Sequence, residues 1–170
     1  MLPEQFCVRM KEMLGEEYAA FYASYDLPKY QALRINPLKT ERDTFLLQAP
    51  FSLNRVPWTT NGYYYSGNDQ PGRHPYHEAG VYYIQEPSAM APAEYLMAEP
   101  GERILDLCAA PGGKSSQIAC SMQGEGLIVC NEIHPARAKI LSENIERMGV
   151  CNALVTNETP VSYTHLRAHE

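Results

Sequence analysis

The sequence predicts an α/β protein in two parts: a small α+β unit, then the first half of a doubly wound parallel sheet. Three observations lead there. From residue 103 onward, strand-like and helix-like runs alternate with short connections, which requires parallel pairing through crossover helices. The first of those strands opens into a loop of small residues that turns onto a helix, as strands of such sheets do at their carboxyl ends. Hydrophobic residues make up 45% of the 170 and charged residues 20%, enough apolar material for a packed core.

In the first part, Pro3 stands near a helix start, and Phe6, Met10, Met13, Leu14, Phe21 and Tyr22 recur at roughly helical spacing. Gly15 is expected to weaken that helix without ending it. Residues 32–36 read as a short extended run stopped by Pro37. Thr40-Glu41-Arg42-Asp43 resembles a capping box, opening a brief helix through Phe45, Leu46 and Leu47. Strand-like pieces follow at 53–58 and 63–65, and the polar, Gly- and Pro-rich stretch 66–77 reads as a connecting loop. The chain divides near residue 76, giving parts 1–76 and 77–160.

The second part begins with a strand at 81–84 and a helix at 88–97. A strand at 103–107 ends in the glycine turn, a helix covers 114–121, and a second strand covers 126–131. Residues 135–148 form a strong helix, with Pro135 in its first turn and Gly149 at its end. A third strand covers 153–156. Three parallel strands are half of a doubly wound sheet. Residues 161–170 show no period that would extend it, so the chain reads as truncated, with a tail foreign to the fold.

Twenty acidic and fourteen basic residues give a net charge of −6, so contact with a polyanion has to come from a local patch. The first twenty residues carry six charged side chains, leaving no signal-peptide apolar region, and no later stretch approaches a membrane span. The expected location is the cytoplasm. The five cysteines form no C-x-x-C pair, which argues against zinc or a disulfide framework, and no metal is expected.

Chemistry concentrates in Asp106-Leu107-Cys108-Ala109-Ala110-Pro111-Gly112-Gly113-Lys114-Ser115. A strand ends in an acid, a small-residue loop turns, and a helix begins, so a ligand can approach the backbone and lie over the helix N-terminus. Gly113-Lys114-Ser115 looks like the end of a phosphate-binding loop. That pattern needs a glycine where Cys108 stands, and Asp106 repels phosphate at the entrance. A dinucleotide is disfavoured because the G-x-G-x-x-G spacing is missing. S-adenosylmethionine suits the residues better: it has no phosphate, and its sulfonium and ammonium match an acid at the strand end. Glu132 closes the next strand nineteen residues beyond Gly113, where a carboxylate can accept hydrogen bonds from ribose hydroxyls. Taken singly, Asp106 reads as a helix-cap acid and Glu132 as a solvated strand-end charge. Their joint spacing around the loop favours the cofactor.

Tyr82-Tyr83-Ile84-Gln85-Glu86-Pro87-Ser88-Ala89-Met90, followed by residues 100–114 with Cys-Ala-Ala-Pro-Gly-Gly-Lys at 108–114, resembles the Sun-type RNA cytosine-5 methyltransferases, nearest the RsmF-like ribosomal RNA subgroup. Asn131-Glu132 with Arg137, Asn144, Arg147 and Gly149 is similar to that family's second strand and helix. The resemblance spans roughly residues 30–160. It implies a Rossmann-like methyltransferase domain, S-adenosyl-L-methionine as cofactor, ribosomal RNA as partner and a monomeric full-length parent. It also implies that Cys108, Ala109, Ala110, Pro111, Gly112, Gly113 and Lys114, with Asp106, line the cofactor and that Glu132 holds its ribose. A polar residue after the third strand would contact the adenine side, matched here by Asn157 or Glu158.

Methylating cytosine at C5 needs a nucleophile, a thiolate that adds at C6 and activates C5. The family carries its cysteines in Pro-Cys and Thr-Cys motifs, and neither pair occurs in these 170 residues. No catalytic residue is therefore expected in this chain. Cys108 reads as a small loop-packing residue, and Cys120, Cys130 and Cys151 as core thiols. Residues 1–76 resemble the family's RNA-engaging extension, with Arg34, Lys39, Arg42, Arg55 and Arg73 as phosphate contacts and Tyr63, Tyr64 and Tyr65 as stacking groups. For each of these taken singly the ordinary reading, a solvated arginine or a packed tyrosine, is the favoured one, and RNA contact is expected of this half as a whole. His74 and His77 are expected to be solvated. The alternatives for the whole chain are a non-catalytic cofactor- or RNA-binding module and, remotely, a P-loop nucleotide-binding protein.

Overall fold

The computed structural model describes residues 2–161 and divides into two compact units, residues 1–30 and 31–170. The tail assigned to 161–170 lies, beyond Val161, outside the described residues.

The first unit is helical. Helix α1 (Glu4–Leu14) follows Pro3, and Gly15 ends it with φ 52, a left-handed conformation that glycine adopts without steric cost. This corrects the expectation that the helix runs through Gly15. A 3₁₀ turn leads into α2 (Tyr18–Ala23). Phe6, Phe21 and Tyr25 meet edge-on or tilted, with ring centroids 5.3–6.4 Å apart, so Phe6 and Phe21, expected at helical spacing, do meet, joined by Tyr25, which that spacing did not single out.

The second unit contains two sheets. In the antiparallel one, β1 (Ala32–Ile35), β2 (Leu53–Arg55), β3 (Gly62–Tyr65) and β4 (Tyr82–Ile84) stand in the order β2-β3-β1-β4. Every residue of β1 is buried. Helix α3 (Arg42–Gln48) places Phe45 on this sheet beside Leu33, Ile35, Tyr63 and Tyr82. No side chain caps α3. Thr40 Oγ1 donates instead to the Glu41 carbonyl, so the capping box does not form.

The stretch read as a loop holds a 3₁₀ turn at Pro71–Arg73 and the short helix α4 (Pro75–Glu78). His74 is half-buried rather than fully solvated. Its Nδ1 accepts from the Tyr76 amide at 3.2 Å, and its ring packs edge-on against Phe51 and Tyr76. Strand β4, placed by the sequence at the start of the second part, pairs antiparallel with β1 of the first in the register Leu33–Ile84 and Ile35–Tyr82.

The parallel sheet follows. Helix α5 (Pro87–Leu96) leads to β5 (Arg103–Asp106), α6 (Gly113–Met122), β6 (Leu127–Asn131), α7 (Pro135–Met148) and β7 (Ala153–Thr156). Strands β5, β6 and β7 lie in that order, all parallel, as the alternating pattern predicts. Ile118, Ala119 and Met122 of α6 meet Leu141 and Ile145 of α7 over Ile128 and Cys130, forming one apolar core. Cys151 departs from expectation: it is exposed in the α7–β7 turn, whereas Cys120 and Cys130 are buried. No helix among the described residues is long and apolar enough to cross a membrane.

Candidate cofactor-binding site

Parallel register aligns the carboxyl ends of the three strands. Asp106 pairs with Cys130, and Asn131 pairs with Thr156, so Asp106, Glu132 and Asn157 emerge along one edge of the sheet. Asp106 closes the turn behind it. Its Oδ1 accepts from the Cys108 amide at 3.2 Å, and its Oδ2 accepts from the buried Ser115 hydroxyl at 2.7 Å. The acid therefore joins the end of β5 to the first turn of α6.

The loop between them is held from outside through its carbonyls. Arg137 Nη2 donates to the Ala110 carbonyl at 2.9 Å, and Asn144 Nδ2 donates to the Pro111 carbonyl at 2.8 Å. Both donors lie on α7. From β1, Arg34 Nη2 reaches the Gly113 carbonyl at 3.2 Å. Gly112 has φ 111, a conformation L side chains rarely adopt, and a Cβ there would lie 3.2 Å from Leu141 Cδ1, so the position favours glycine on conformational grounds and any side chain would also press on Leu141.

A cavity of about 240 Å³ opens between this loop and the β4–α5 connection. Cys108, Ala109, Ala110, Pro111, Gly113 and Lys114 face it, opposite Tyr83, Gln85 and Glu86. Tyr83 is buried and its hydroxyl donates to the Pro111 carbonyl at 3.4 Å. Its ring lies 5.9 Å from Arg34 Cζ and 5.6 Å from Arg147 Cζ, within range of cation–π attraction from both guanidinium groups. Cys108 is exposed at the cavity rather than packed into the loop.

Glu132 and Asn157 stand apart from that wall. Glu132 is only 3% exposed, accepts from the His134 amide at 3.0 Å and pairs with Arg137 Nη1 at 3.3 Å. Arg137 thus links Glu132 to the Ala110 carbonyl, and through it the second strand end to the loop. Asn157 Nδ2 donates to the Glu132 carbonyl at 2.6 Å. Asn131, also buried, accepts from the Thr156 hydroxyl and the Glu158 amide, both at 3.0 Å. Burial pushes the Cys130 thiol up to about 11, with Asp106 adding to the effect and Ser115 opposing it.

Sequence reasoning missed the parts that lie far off in the chain. Arg34, read as a phosphate contact, is 1% exposed and bonded to Gln85, Gly113 and Ser116. Tyr63 is buried, in line with the packing reading favoured for a strand tyrosine. Tyr83 and Gln85 carry no local signal as cavity walls, because only pairing of β4 with β1 brings them there. Lys39, Arg42, Arg55 and Arg73 do lie on the surface. Among the described residues no cluster of three or more His, Cys, Asp or Glu side chains is placed to hold a metal ion.

Fold and site geometry together define a class, the Rossmann-like methyltransferases. A methyltransferase homologue from Pyrococcus horikoshii superposes with a TM-score of 0.84 at 28% identity, covering 98% of this chain and 56% of that one. NSun6 from the same organism, solved with SFG, shares the fold at a TM-score of 0.83 and 18% identity, covering 97% of this chain and 67% of that one.

Residues 2–87 match the N-terminal domain of 16S rRNA methyltransferase RsmF, and residues 93–167 match 16S rRNA methyltransferase RsmB/F; the chain belongs to this family. Ribosomal RNA small subunit methyltransferase F from Photobacterium profundum is 35% identical over 167 residues, and that from Enterobacter sp. is 37% identical over 166. The chain spans 35% of the length of each of these curated relatives, while the matches cover 92% and 91% of the chain itself.

Proposed function

We propose that this chain forms the S-adenosylmethionine-binding half of a ribosomal RNA cytosine-5 methyltransferase, acting in the cytoplasm with ribosomal RNA as its partner. The observation that carries the reading is the loop at 108–114. Its carbonyls are tied back by Arg34, Arg137 and Asn144, and its small side chains face a cavity just beyond the acid that ends β5. In this reading Asp106 and Cys108, Ala109, Ala110, Pro111, Gly112, Gly113 and Lys114 hold the methionine side of the cofactor. Glu132 accepts from the ribose hydroxyls, and Asn157 meets the adenine side. The residues fit such a group chemically: two carboxylates and small side chains suit a cationic, phosphate-free nucleoside, whereas Asp106 opposes a triphosphate.

When bound, S-adenosylmethionine supplies an electrophilic methyl group. Around it, the chain's own residues bind and orient. Asp106 fixes the turn through Cys108 and Ser115, and Arg137 neutralises Glu132 from its outer side. The 170 residues contain no Pro-Cys or Thr-Cys pair, so no nucleophile is assigned among them.

The division of labour we propose gives residues 1–76 to RNA contact and 77–160 to the cofactor. Exposed Lys39, Arg42, Arg55 and Arg73 are among the basic groups of this part available to phosphates. Calorimetric titration with S-adenosylhomocysteine and, separately, Mg-ATP tests the reading. Saturable heat with the first and none with the second is expected. Heat from ATP alone overturns it in favour of a nucleotide-binding loop.

A further inference from the structure

Arg34 heads the fully buried side chains by size, yet among the described residues no carboxylate bonds to it. A guanidinium taken out of water has to use its donors, and these go in two directions. Nε donates to Gln85 Oε1 at 3.1 Å. Nη2 donates to Ser116 Oγ at 2.8 Å and to the Gly113 carbonyl at 3.2 Å, and Nη1 lies 3.7 Å from Cys120 Sγ. The first partner belongs to the β4–α5 connection, and the others to the start and middle of α6.

Gln85 and Gly113 stand on opposite walls of the 240 Å³ cavity. Gln85 is itself fixed, since its Nε2 donates to the Ala89 carbonyl at 3.0 Å. A Cβ built on Gly113 would lie 3.3 Å from the Tyr83 ring and 3.4 Å from Gln85 Cδ, so the two segments approach each other closely at Gly113, beside the cavity they line. One side chain from β1 therefore bonds to both, beside the Tyr83 hydroxyl that also crosses to Pro111.

We infer that Arg34 is a positioning residue for the cofactor pocket, holding the Gln85 wall and the Gly113 turn at the spacing the ligand needs. The inference rests on the cofactor reading of that cavity. Arginine is required because a planar fork serves acceptors on two sides at fixed angles. A lysine ammonium is a point donor on a flexible stem and cannot serve both.

The test is titration of S-adenosylhomocysteine into the chain and into Arg34→Lys, Arg34→Met and Leu33→Ala, with the unfolding midpoint measured for each. Leu33 is a fully buried neighbour on the same strand, but it packs with Phe45 and Tyr82 rather than toward the cavity. At a temperature where all are folded, both Arg34 variants should bind at least tenfold more weakly. Leu33→Ala should bind within twofold of the parent despite its lower midpoint. The amide resonances of Gly113 and Ser116 should move in Arg34→Lys and stay in Leu33→Ala.

A folded Arg34→Lys that binds within twofold of the parent overturns the inference. So does a Leu33→Ala that loses as much affinity as the Arg34 variants, since stability alone would then explain the effect. If Arg34→Met does not fold, Arg34→Lys and Ser116→Ala decide, the latter expected to lose several-fold. A parent chain that binds no S-adenosylhomocysteine overturns the cofactor reading instead, and the Gly113 and Ser116 resonances still report whether Arg34 sets the turn.

Discussion

Both oxygens of Asp106 are engaged by the protein, one by the Cys108 amide and one by the Ser115 hydroxyl, so its charge is held in place rather than free to swing. Replacing it with asparagine keeps an acceptor for Cys108 and removes the charge. If that charge faces the sulfonium, Asp106→Asn should weaken S-adenosylmethionine by about tenfold, the scale of one charged interaction, and S-adenosylhomocysteine by less. Equal losses for both ligands would make the acid purely a brace for the turn. Gly112 offers a second residue-level test. With φ 111 and Leu141 Cδ1 already 3.2 Å from where a Cβ would lie, Gly112→Ala should destabilise the fold by about 1–3 kcal/mol in urea unfolding. The identity of these residues was legible in the sequence, since an acid, a run of small residues and two glycines carry their own local chemistry. Arg34 was not legible. Its partners lie 51 to 86 positions away in the chain, and an arginine in isolation reads as surface.

Helix α7 shows what an element adds to its residues. One stripe, Ala138, Leu141, Ile145 and Met148, is buried at the i, i+3, i+4 spacing of an amphipathic helix, while Arg137 and Asn144 reach the loop carbonyls. Leu141→Ala should cost about 2–5 kcal/mol and loosen the packing against Gly112, which thermal and urea unfolding would register. Its limits were legible because Pro135 and Gly149 mark them locally. The pairing of β4 was not, because strand propensity says nothing about which of two sheets a strand joins. Strand β6 makes a pH prediction. Its Cys130 thiol, ordinarily near 9.0, is pushed up to about 11 by burial. The unfolded chain then loses this proton first, so stability is flat below about pH 9 and falls as pH rises toward 11, by roughly 2–3 kcal/mol. Cys130→Ala should remove that part of the decline; Tyr82, ordinarily near 10.0 and pushed up to about 12, contributes an overlapping fall from about pH 10 to 12 that the variant leaves in place.

At the scale of the whole molecule, the parallel sheet is covered unequally. Ile104, Ile128, Cys130, Ala153 and Val155 point to the side that α6 and α7 cover. The alternate residues, aligned by register as Leu105–Val129–Leu154 and flanked by Leu127, face the other way. Leu105 is 38% exposed, Leu127 40% and Leu154 51%. The sequence could predict three parallel strands from their rhythm, but which face stays bare depends on where each helix packs, a three-dimensional fact. A contiguous leucine row beside an edge strand is a surface that tends to pair with another copy, through the open backbone of β5 and the apolar side chains together. This 170-residue chain should therefore self-associate in a concentration-dependent way, with an average mass that climbs in light scattering over the micromolar range. Leu105→Lys and Leu154→Lys together place charge on both edge strands of that row and should return the mass toward the monomer while leaving the opposite, helix-covered core unchanged. A parent chain that is monodisperse and monomeric across the same range would mean that this leucine row is not a sticky surface, and the double variant would then have no effect on mass.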